Sequence, residues 1–245
     1  MTYEAEKILP YSSPDKKGAQ VEQMFDSIAE NYDTLNHTMS MGIDRSWRKK
    51  GILALKHLNP KSILDIATGT GDLAMQAYDL LRPEHILGID ISEKMMDVGR
   101  LKVEKVGLSD KISFEKQDCM NLGLPDNSFD AAMVAFGVRN FEDLDKGLKE
   151  ILRVLKPGGQ LMILELSTPQ HFPMKQAYWL YSRLFIPTIG RLISKDKTAY
   201  SYLPKSIEAF IQGKNMVNAL ALNGYRNATY KTYTFGICSM YLGTK

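Results

Sequence analysis

Residues 65–74, Asp65-Ile-Ala-Thr-Gly-Thr-Gly-Asp-Leu-Ala74, follow the short apolar run Ile63–Leu64 and precede a segment with helical spacing. Glycines between a predicted strand and a predicted helix are typical of nucleotide-binding turns, because glycine lets the backbone approach a ligand closely. The stretch from Gly69 satisfies G-x-G-x-x-G/A, and Asp90 ends a second predicted strand about 20 residues further on. The spacing predicts a nucleotide-binding turn, and a tight structural turn is the alternative.

Strand and helix patterns alternate regularly through residues 61–166. Strands are predicted at 62–66, 85–90, 111–117, 129–136 and 160–166, and helices at 71–82, 93–106 and 143–155. Such alternation predicts an α/β fold with a doubly wound, mostly parallel sheet and helices on both faces. The tail from Gly224 onward alternates and is rich in aromatic residues. It predicts a hairpin that closes one edge of the sheet.

The segments outside this alternation differ in composition. Residues 1–18 are polar and predict a loose arm, whereas residues 19–58 have mostly helical spacing. Residues 167–205 are rich in aromatics and carry several prolines, which predicts an insertion with short helices, followed by helical segments at 206–222. The predicted division is an arm with a helical lid (1–58) and a main domain (59–245) that carries the insertion at about 167–205.

Bulk composition narrows the class of protein. A formal charge of +3 on 245 residues argues against charge-driven binding of nucleic acid. Cys119 and Cys238 are the two cysteines and form no C-x-x-C pair, so we predict neither a disulfide framework nor a metal site. No apolar run reaches the roughly 18–20 residues of a membrane span, and the first residues lack a secretory pattern. We therefore expect a cytoplasmic protein.

Charge around the glycine turn separates two kinds of ligand. A dinucleotide would bring a pyrophosphate to the start of the helix that follows the turn. Residues 62–81 contain no Lys or Arg, whereas Asp65, Asp72, Asp90 and Asp118 lie at predicted strand ends or at the helix start. Carboxylates repel a pyrophosphate but attract the sulfonium and ammonium of S-adenosylmethionine. The pattern favours S-adenosylmethionine over the NAD of an oxidoreductase, although Asp72 also suits a first helical turn without any ligand.

Each part of the predicted cofactor site has its own role. Gly69 and Gly71 let the backbone approach the amino-acid part of the cofactor, and Asp90 accepts hydrogen bonds from the ribose hydroxyls. Asp118 and Cys119 reach the adenine. The alternatives are helix capping for Asp90 and a solvated loop acid for Asp118. The full predicted set is Asp65, Gly69, Thr70, Gly71, Asp90, Ile91, Asp118, Cys119 and Ala135.

The central block resembles the class I S-adenosylmethionine-dependent methyltransferases, whose Rossmann-like sheet has seven strands with the last one antiparallel. Residues 24–47 are similar to the N-terminal signature of the ubiquinone/menaquinone biosynthesis C-methyltransferases, which is Tyr-Asp-x-Met-Asn, then Ser, His and Trp. The residues that match that signature are Tyr32, Asp33, Asn36, Ser40 and Trp47, but Asp44 stands where it has histidine. Further matches are Phe-Gly-Val-Arg-Asn at 136–140, Arg-Val-Leu-Lys-Pro-Gly-Gly at 153–159, Glu-Leu-Ser at 165–167 and the tail. Together they span about residues 20–245.

The resemblance implies C-methylation of a reduced polyprenyl quinone. In the menaquinone branch, demethylmenaquinol becomes menaquinol; in the ubiquinone branch, the substrate is 2-methoxy-6-polyprenyl-benzoquinol. We favour menaquinone because that pathway is the more widespread among bacteria, and the residues leave the ubiquinone branch and dual activity open. A methyltransferase acting on another small lipid and a non-enzymatic binder of S-adenosylmethionine are more distant alternatives.

The catalytic candidates are Arg139, Asn140, Tyr32 and His37. Arg139 follows the fourth predicted strand, at the edge where ligands of open α/β sheets bind. We expect its guanidinium to lower the pKa of the quinol and hold the oxyanion, with Asn140 orienting it. A salt bridge from Arg139 to the adjacent acids, Glu142 or Asp143, is the alternative. Tyr32 and His37 belong to the lid, where His37 is either a base or a structural residue.

The polyprenyl tail requires an apolar surface. Residues 172–189 are rich in aromatic and aliphatic side chains and have basic residues nearby. They predict a groove wall or a helix lying on a membrane surface, with plain core packing as the alternative. The expected partners are a polyprenyl quinol, a membrane contacted peripherally through about 172–193, and a second copy of the chain in a homodimer. No nucleic acid partner is expected.

Overall fold

A seven-stranded sheet organises the protein, as the computed structural model describes it for residues 2–185 and 197–245. The strands are β1 Ser62–Ile66, β2 His85–Asp90, β3 Ile112–Lys116, β4 Phe129–Ala135, β5 Leu155–Leu166, β6 Arg226–Tyr233 and β7 Cys238–Thr244. Their order is β3-β2-β1-β4-β5-β7-β6, with β1 to β5 parallel and β7 antiparallel to both neighbours. The predicted fold class and the terminal hairpin are confirmed.

Helices cover both faces of this sheet. Within the described part of the chain they are α1 Glu4–Lys7, α2 Lys17–Ile28, α3 Tyr32–Met39, α4 Ile43–Ala54, α5 Asp72–Leu81, α6 Glu93–Lys105, α7 Leu144–Val154, α8 Met174–Leu180, α9 Lys197–Ala209 and α10 Lys214–Leu222. A π-helical turn, Tyr181–Phe185, extends α8. None of these described helices has both the length and the apolar composition of a membrane span.

Alternation along the central strands builds two separate cores. Successive side chains of a strand point to opposite faces, so Ile63 packs on one side of the sheet and Leu64 on the other. Helices α4, α5 and α6 cover the face of Ile63, and α7 and α10 cover the face of Leu64. Because both faces are buried, the central strands read as continuous apolar runs.

The N-terminal segment is docked, so the prediction of a loose arm is wrong. The Tyr3 hydroxyl donates to Asp145 at 2.9 Å, and the Glu6 carboxylate accepts from the backbone N–H of Leu144 at 2.9 Å. Leu144 begins α7, so Glu6 satisfies an N–H group that a helix start leaves unpaired. Ala5 between them is buried. Composition alone did not indicate these partners, which lie far along the chain.

One strand boundary differs from prediction by more than one residue. Strand β5 begins at Leu155 rather than 160, because Pro157-Gly-Gly159 forms an irregularity inside the strand and not a loop before it. The helical segments expected over 206–222 are the end of α9 and the whole of α10, and Gly213, with a φ of 58°, directly precedes α10. The division of the chain at residue 58 stays a prediction.

Candidate active site

Two adjoining cavities open at the carboxyl ends of β1 and β4, where the strand order reverses. This switch point is where ligands of open α/β sheets bind. The glycine-turn cavity has a volume of about 610 Å³ and includes Gly69, Asp90, Ile91, Asp118, Cys119 and Ala135 in its lining. The arginine cavity includes Tyr32, His37, Asp65, Thr70, Arg139, Asn140, Tyr178 and Tyr202. The residues that line both cavities are Phe25, Tyr32, Ala67, Gly69, Ala135, Phe136 and Asn140.

The glycine turn is held in place by Asp90. One oxygen of this buried carboxylate accepts from the Gly69 N–H at 2.8 Å, and the other accepts from the Ser92 N–H at 2.9 Å. Burial raises the pKa of Asp90 to about 6. Asp90 thus also contacts the residue before α6, in line with its alternative role in helix capping, although the side chain that caps α6 is that of Ser92. Asp90 lines the glycine-turn cavity, and a carboxylate can accept more hydrogen bonds than these two.

Gly71 differs from the other predicted cofactor residues, because it is not among the cavity linings. Its φ of 75° turns the chain into α5, and a Cβ at this position would lie 2.8 Å from the Phe114 ring. Glycine is required here for the turn and for packing, and its contact with the cofactor stays a prediction.

Asp65 carries an unused acceptor atom. Its Oδ2 accepts from the Thr68 hydroxyl at 2.7 Å, whereas its buried Oδ1 has no hydrogen-bond partner within the described structure. Burial raises the pKa of Asp65 to about 7, an effect that the Thr68 hydrogen bond partly opposes. An unpaired buried carboxylate oxygen costs free energy, which a cationic ligand group would offset.

Asp118 and Cys119 line the glycine-turn cavity. The Asp118 carboxylate is exposed and accepts from the Met120 N–H at 2.9 Å, as a loop-capping acid does. Burial, together with the charges of Asp118 and Asp90, raises the pKa of Cys119. The thiol is therefore protonated at neutral pH and unsuited to act as a nucleophile.

Arg139 is buried and paired with Glu165, the acid near the end of β5. Its Nη1 donates to Glu165 Oε1 at 2.6 Å and to the Phe136 carbonyl, and its backbone N–H donates to Glu165 Oε2 at 3.3 Å. Burial opposes the charge, but Glu165 and neighbouring tyrosines outweigh it and hold the pKa of Arg139 above its ordinary value. Its Nε has no partner in the described structure. The salt bridge of Arg139 is thus made with Glu165 and not with Glu142 or Asp143, the acids considered in the alternative.

Asn140 does not orient Arg139 as predicted. Its side-chain oxygen accepts instead from the Tyr202 hydroxyl of α9 at 3.0 Å. Burial raises the pKa values of Tyr202 and Tyr178 to about 12, so both phenols stay protonated donors beside Arg139. Glu165 could have been found from the sequence, because a lone acid in the apolar run of β5 implies a buried cation nearby. No comparable pattern in the sequence points to Tyr202.

His37 lies in the lid with both ring nitrogens facing carboxylates. Nδ1 is 3.0 Å from Asp44 Oδ2, and Nε2 is 3.5 Å from Asp72 Oδ2. Arg48 also contacts both acids, at 3.3 Å from Asp72. Asp44 accepts a hydrogen bond from Nδ1 when that nitrogen carries the proton, an arrangement found for structural histidines and for bases alike, so the catalytic role of His37 stays a prediction. Asp44, at the position where the signature has histidine, is the buried centre of this cluster.

Lys102 joins the lid to the glycine turn. Its Nζ contacts Asp33 of α3 at 2.8 Å, Thr70 of the turn at 3.3 Å, and Asp72. The Thr70 hydroxyl donates to Asp33 at 2.6 Å. Asp72 is thus neutralised by Lys102 and Arg48 and adds no free negative charge at the turn, contrary to the expectation from local sequence. Both cations lie far from residues 62–81 in the chain.

We expect Lys102→Met to loosen the lid. Removing the ammonium leaves two partly buried carboxylates, Asp33 and Asp72, close together without their cation. Amide hydrogen exchange in α3 should accelerate about 10-fold, with little change in the sheet. Hydrogen exchange read by mass spectrometry measures this, with the exposed Lys105→Met on the same helix as control. Equal exchange in both variants would contradict the role of Lys102.

A family model described as the ubiE/COQ5 methyltransferase family matches residues 13–245. A demethylmenaquinone methyltransferase from Bacteroides fragilis is 59% identical over 245 residues, covering 100% of both chains. A demethylmenaquinone methyltransferase from Porphyromonas gingivalis is 44% identical over 241 residues, covering 98% of each.

Among solved structures, the [4+2]-cyclase SpnF aligns with a TM-score of 0.69 at 17% identity, covering 93% of this chain and 96% of its own. At that identity the likeness shows a shared fold alone. The family match and the full-length relatives show more: the chain belongs to the ubiE/COQ5 methyltransferase family.

Proposed function

We propose that this chain transfers a methyl group from S-adenosylmethionine to a ring carbon of a reduced polyprenyl quinone, and that the quinone is demethylmenaquinol. One observation carries the proposal. Asp65 Oδ1 and Arg139 Nε are both buried, lack partners in the described structure, and belong to residues lining the same cavity. The first atom suits a ligand cation and the second suits an oxyanion. The names of the Bacteroides and Porphyromonas relatives support the same reaction.

The residues around the glycine turn fit S-adenosylmethionine. The unpaired oxygen of Asp65 suits the ammonium group, and the free lone pairs of Asp90 suit the ribose hydroxyls. Gly69 has a φ of 56°, and a Cβ there would lie 3.2 Å from the Met95 side chain. Asp118 and Cys119 remain the proposed adenine contacts, with Ile91 and Ala135 as apolar walls. When bound, S-adenosylmethionine supplies an electrophilic methyl group on a sulfonium.

The arginine cavity suits a quinol that is losing a proton. A ring carbon becomes nucleophilic when an adjacent hydroxyl ionises, and the Arg139 guanidinium stabilises the oxyanion that forms. The carbon that gains the methyl group loses its own hydrogen as a proton and the hydroxyl is restored, so one proton is released to solvent for each methyl group transferred. Glu165 fixes the guanidinium from one side and leaves Nε unused. Tyr32 also lines the cavity, and its pKa is raised by burial, so its phenol is a donor and not a base. Together these groups align the acceptor and exclude water.

The test is methyl transfer from labelled S-adenosylmethionine to chemically reduced short-chain demethylmenaquinone, with a methoxy-benzoquinol in parallel. We expect turnover of the naphthoquinol. Turnover of both quinols would mean dual activity, and turnover of the benzoquinol alone would assign the ubiquinone branch. Binding of S-adenosylmethionine without methylation of either quinol would overturn the substrate assignment.

We further propose that α8 and the turn after it contact the membrane peripherally. Tyr178 of α8 faces the arginine cavity, whereas Phe172, Trp179 and Leu184 are 82%, 52% and 61% exposed. The Arg183 guanidinium lies 4.8 Å from the Trp179 ring, which places a cation beside this apolar surface. A cation beside exposed apolar side chains suits an anionic lipid interface. Because Tyr178 of the same helix lines the arginine cavity, this surface is next to the cavity where we propose that the quinol ring reacts. Residues 186–193 of the predicted surface lie outside the described residues.

Trp179→Glu is expected to weaken binding to phosphatidylglycerol vesicles by about 10-fold, because the change removes apolar burial and adds repulsion. Co-sedimentation with vesicles measures the partition coefficient. Leu101→Glu is the matched control, since Leu101 is 67% exposed on α6. Equal binding of both variants would contradict the membrane role of α8. The homodimer stays a prediction.

A further inference from the structure

We propose that Lys17 is a positioning residue for methyl transfer, which holds the main chain of the loop that carries Arg139. The inference rests on the proposed function, because it assigns Lys17 a part in the same reaction. It extends the active-site apparatus to the N-terminal segment, residues 3–17, which has no lining residue in the arginine cavity.

Lys17 is a buried ammonium with two carbonyl partners. It is the first residue of α2, and only 4% of it is exposed. Its Nζ donates to the Ala5 carbonyl at 2.6 Å and to the Arg139 carbonyl at 3.2 Å. Burying an ammonium costs free energy, which such hydrogen bonds offset. A lysine used only for solubility would extend into water, so this placement indicates a specific role.

Both polar groups of the Arg139 backbone are held by charged side chains. Glu165 accepts from the Arg139 N–H, and Lys17 donates to its carbonyl. The next residue of α2, Gly18, donates its N–H to Glu142 at 3.0 Å, which holds the far end of the same loop. The start of α2 therefore restrains the loop at two points. These contacts set where the guanidinium stands relative to the cavity.

The other partner of Lys17 is itself anchored. Ala5 belongs to α1, which Tyr3 and Glu6 fasten to the start of α7. Charged groups around the ammonium act in both directions: the carboxylates of Glu6 and Glu142 favour its charge and Arg139 opposes it. Burial is the largest effect and lowers the pKa of Lys17 to about 8. The ammonium form thus predominates at neutral pH.

The first test is Lys17→Met, which keeps the length of the side chain and removes the donor. We expect kcat to fall about 10-fold, while the dissociation constant of S-adenosylmethionine changes less than about 2-fold, because small misplacements of reacting groups cost rate. Lys7→Met, in the same segment but exposed, is the control and should keep the wild-type kcat. An unchanged kcat in Lys17→Met would overturn the proposal.

The second test separates positioning from general destabilisation. If Lys17 acts through Arg139, Lys17→Met should cost about 10-fold in the wild type but less than about 2-fold in an Arg139→Lys background, as a coupled pair behaves in a double-mutant cycle. An equal loss in both backgrounds would overturn the proposal.

If Lys17→Met does not fold, Lys17→Ala with added propylammonium replaces it, and several-fold recovery of the rate is the expected result. Absence of recovery in a folded Lys17→Ala protein would overturn the proposal. Lack of quinol methylation by the wild type would instead refute the proposed function, so the two failures are distinguishable.

Discussion

Arg139→Lys is expected to lower kcat for quinol methylation by about 100-fold, with little change in the affinity for S-adenosylmethionine. A lysine ammonium keeps the charge but lacks the planar fork of the guanidinium. It cannot pair with Glu165 and the Phe136 carbonyl and still present a donor where Nε now stands. Loss of one preorganised donor to an oxyanion costs about 100- to 1,000-fold in other enzymes. Steady-state kinetics with the reduced naphthoquinone measures the effect.

Arg100→Lys is the control for this substitution, because Arg100 lies on the surface of α6 and pairs with Glu93 and Asp97. Its kcat should match that of the wild type. Thermal unfolding should accompany the kinetics, since a mispaired Glu165 would destabilise the fold. A folded Arg139→Lys protein with wild-type kcat would contradict the role assigned to the guanidinium.

Asp65→Asn is expected to weaken binding of S-adenosylmethionine by about 10- to 100-fold at pH 8, the range expected when a charged hydrogen-bond acceptor is lost. The pH dependence is a sharper test. Since burial raises the pKa of Asp65 to about 7, the carboxyl becomes neutral as the pH falls below 7 and no longer attracts an ammonium. The wild-type dissociation constant should therefore rise from pH 8 to pH 6. Calorimetric titration across this range measures it.

The same substitution should stabilise the ligand-free protein. The pKa of Asp65 is raised above the value of about 3.9 in an unfolded chain, so folding disfavours its ionised form. The wild type therefore loses stability from this group as the pH rises from about 4 through 7. Asp65→Asn has no carboxyl group to ionise, so it does not lose this stability and should melt at a higher temperature than the wild type at pH 8. A variant that is no more stable and binds S-adenosylmethionine normally would contradict this account.

The fold could be predicted from the sequence because the patterns that indicate its strands and turns are local. The bounds of β1 and β2 match the prediction, since each is an apolar run between turn residues and buried on both faces. The glycine turn was found for the same reason. The start of β5 was missed because Pro157-Gly-Gly159 looks like a loop even though the strand continues through it. Local composition does not reveal whether a neighbouring strand tolerates such an irregularity.

The side-chain contacts within the site could not be predicted from local sequence in the same way. Arg139 was proposed as a site residue, and the alternative considered for it was a salt bridge to adjacent acids, whereas its partner Glu165 lies on the neighbouring strand. Asp72 was treated as an unpaired negative charge at the glycine turn, although Lys102 of α6 neutralises it. Lys17 was predicted to belong to a polar, loose arm. Each of these pairs joins residues far apart in the chain, so their identity depends on the folded topology and not on sequence spacing.

The residues shared by the two cavities have a consequence for inhibitor design. Because the same side chains line both cavities, a ligand in one lies next to a ligand in the other. A single compound with a ribose for Asp90 in the glycine-turn cavity, and an amino group for Asp65 and a phenolate for Arg139 in the arginine cavity, would occupy both cavities at once. Its linker must pass the shared residues. Such a bisubstrate compound would gain affinity from effective concentration, which neither half has alone.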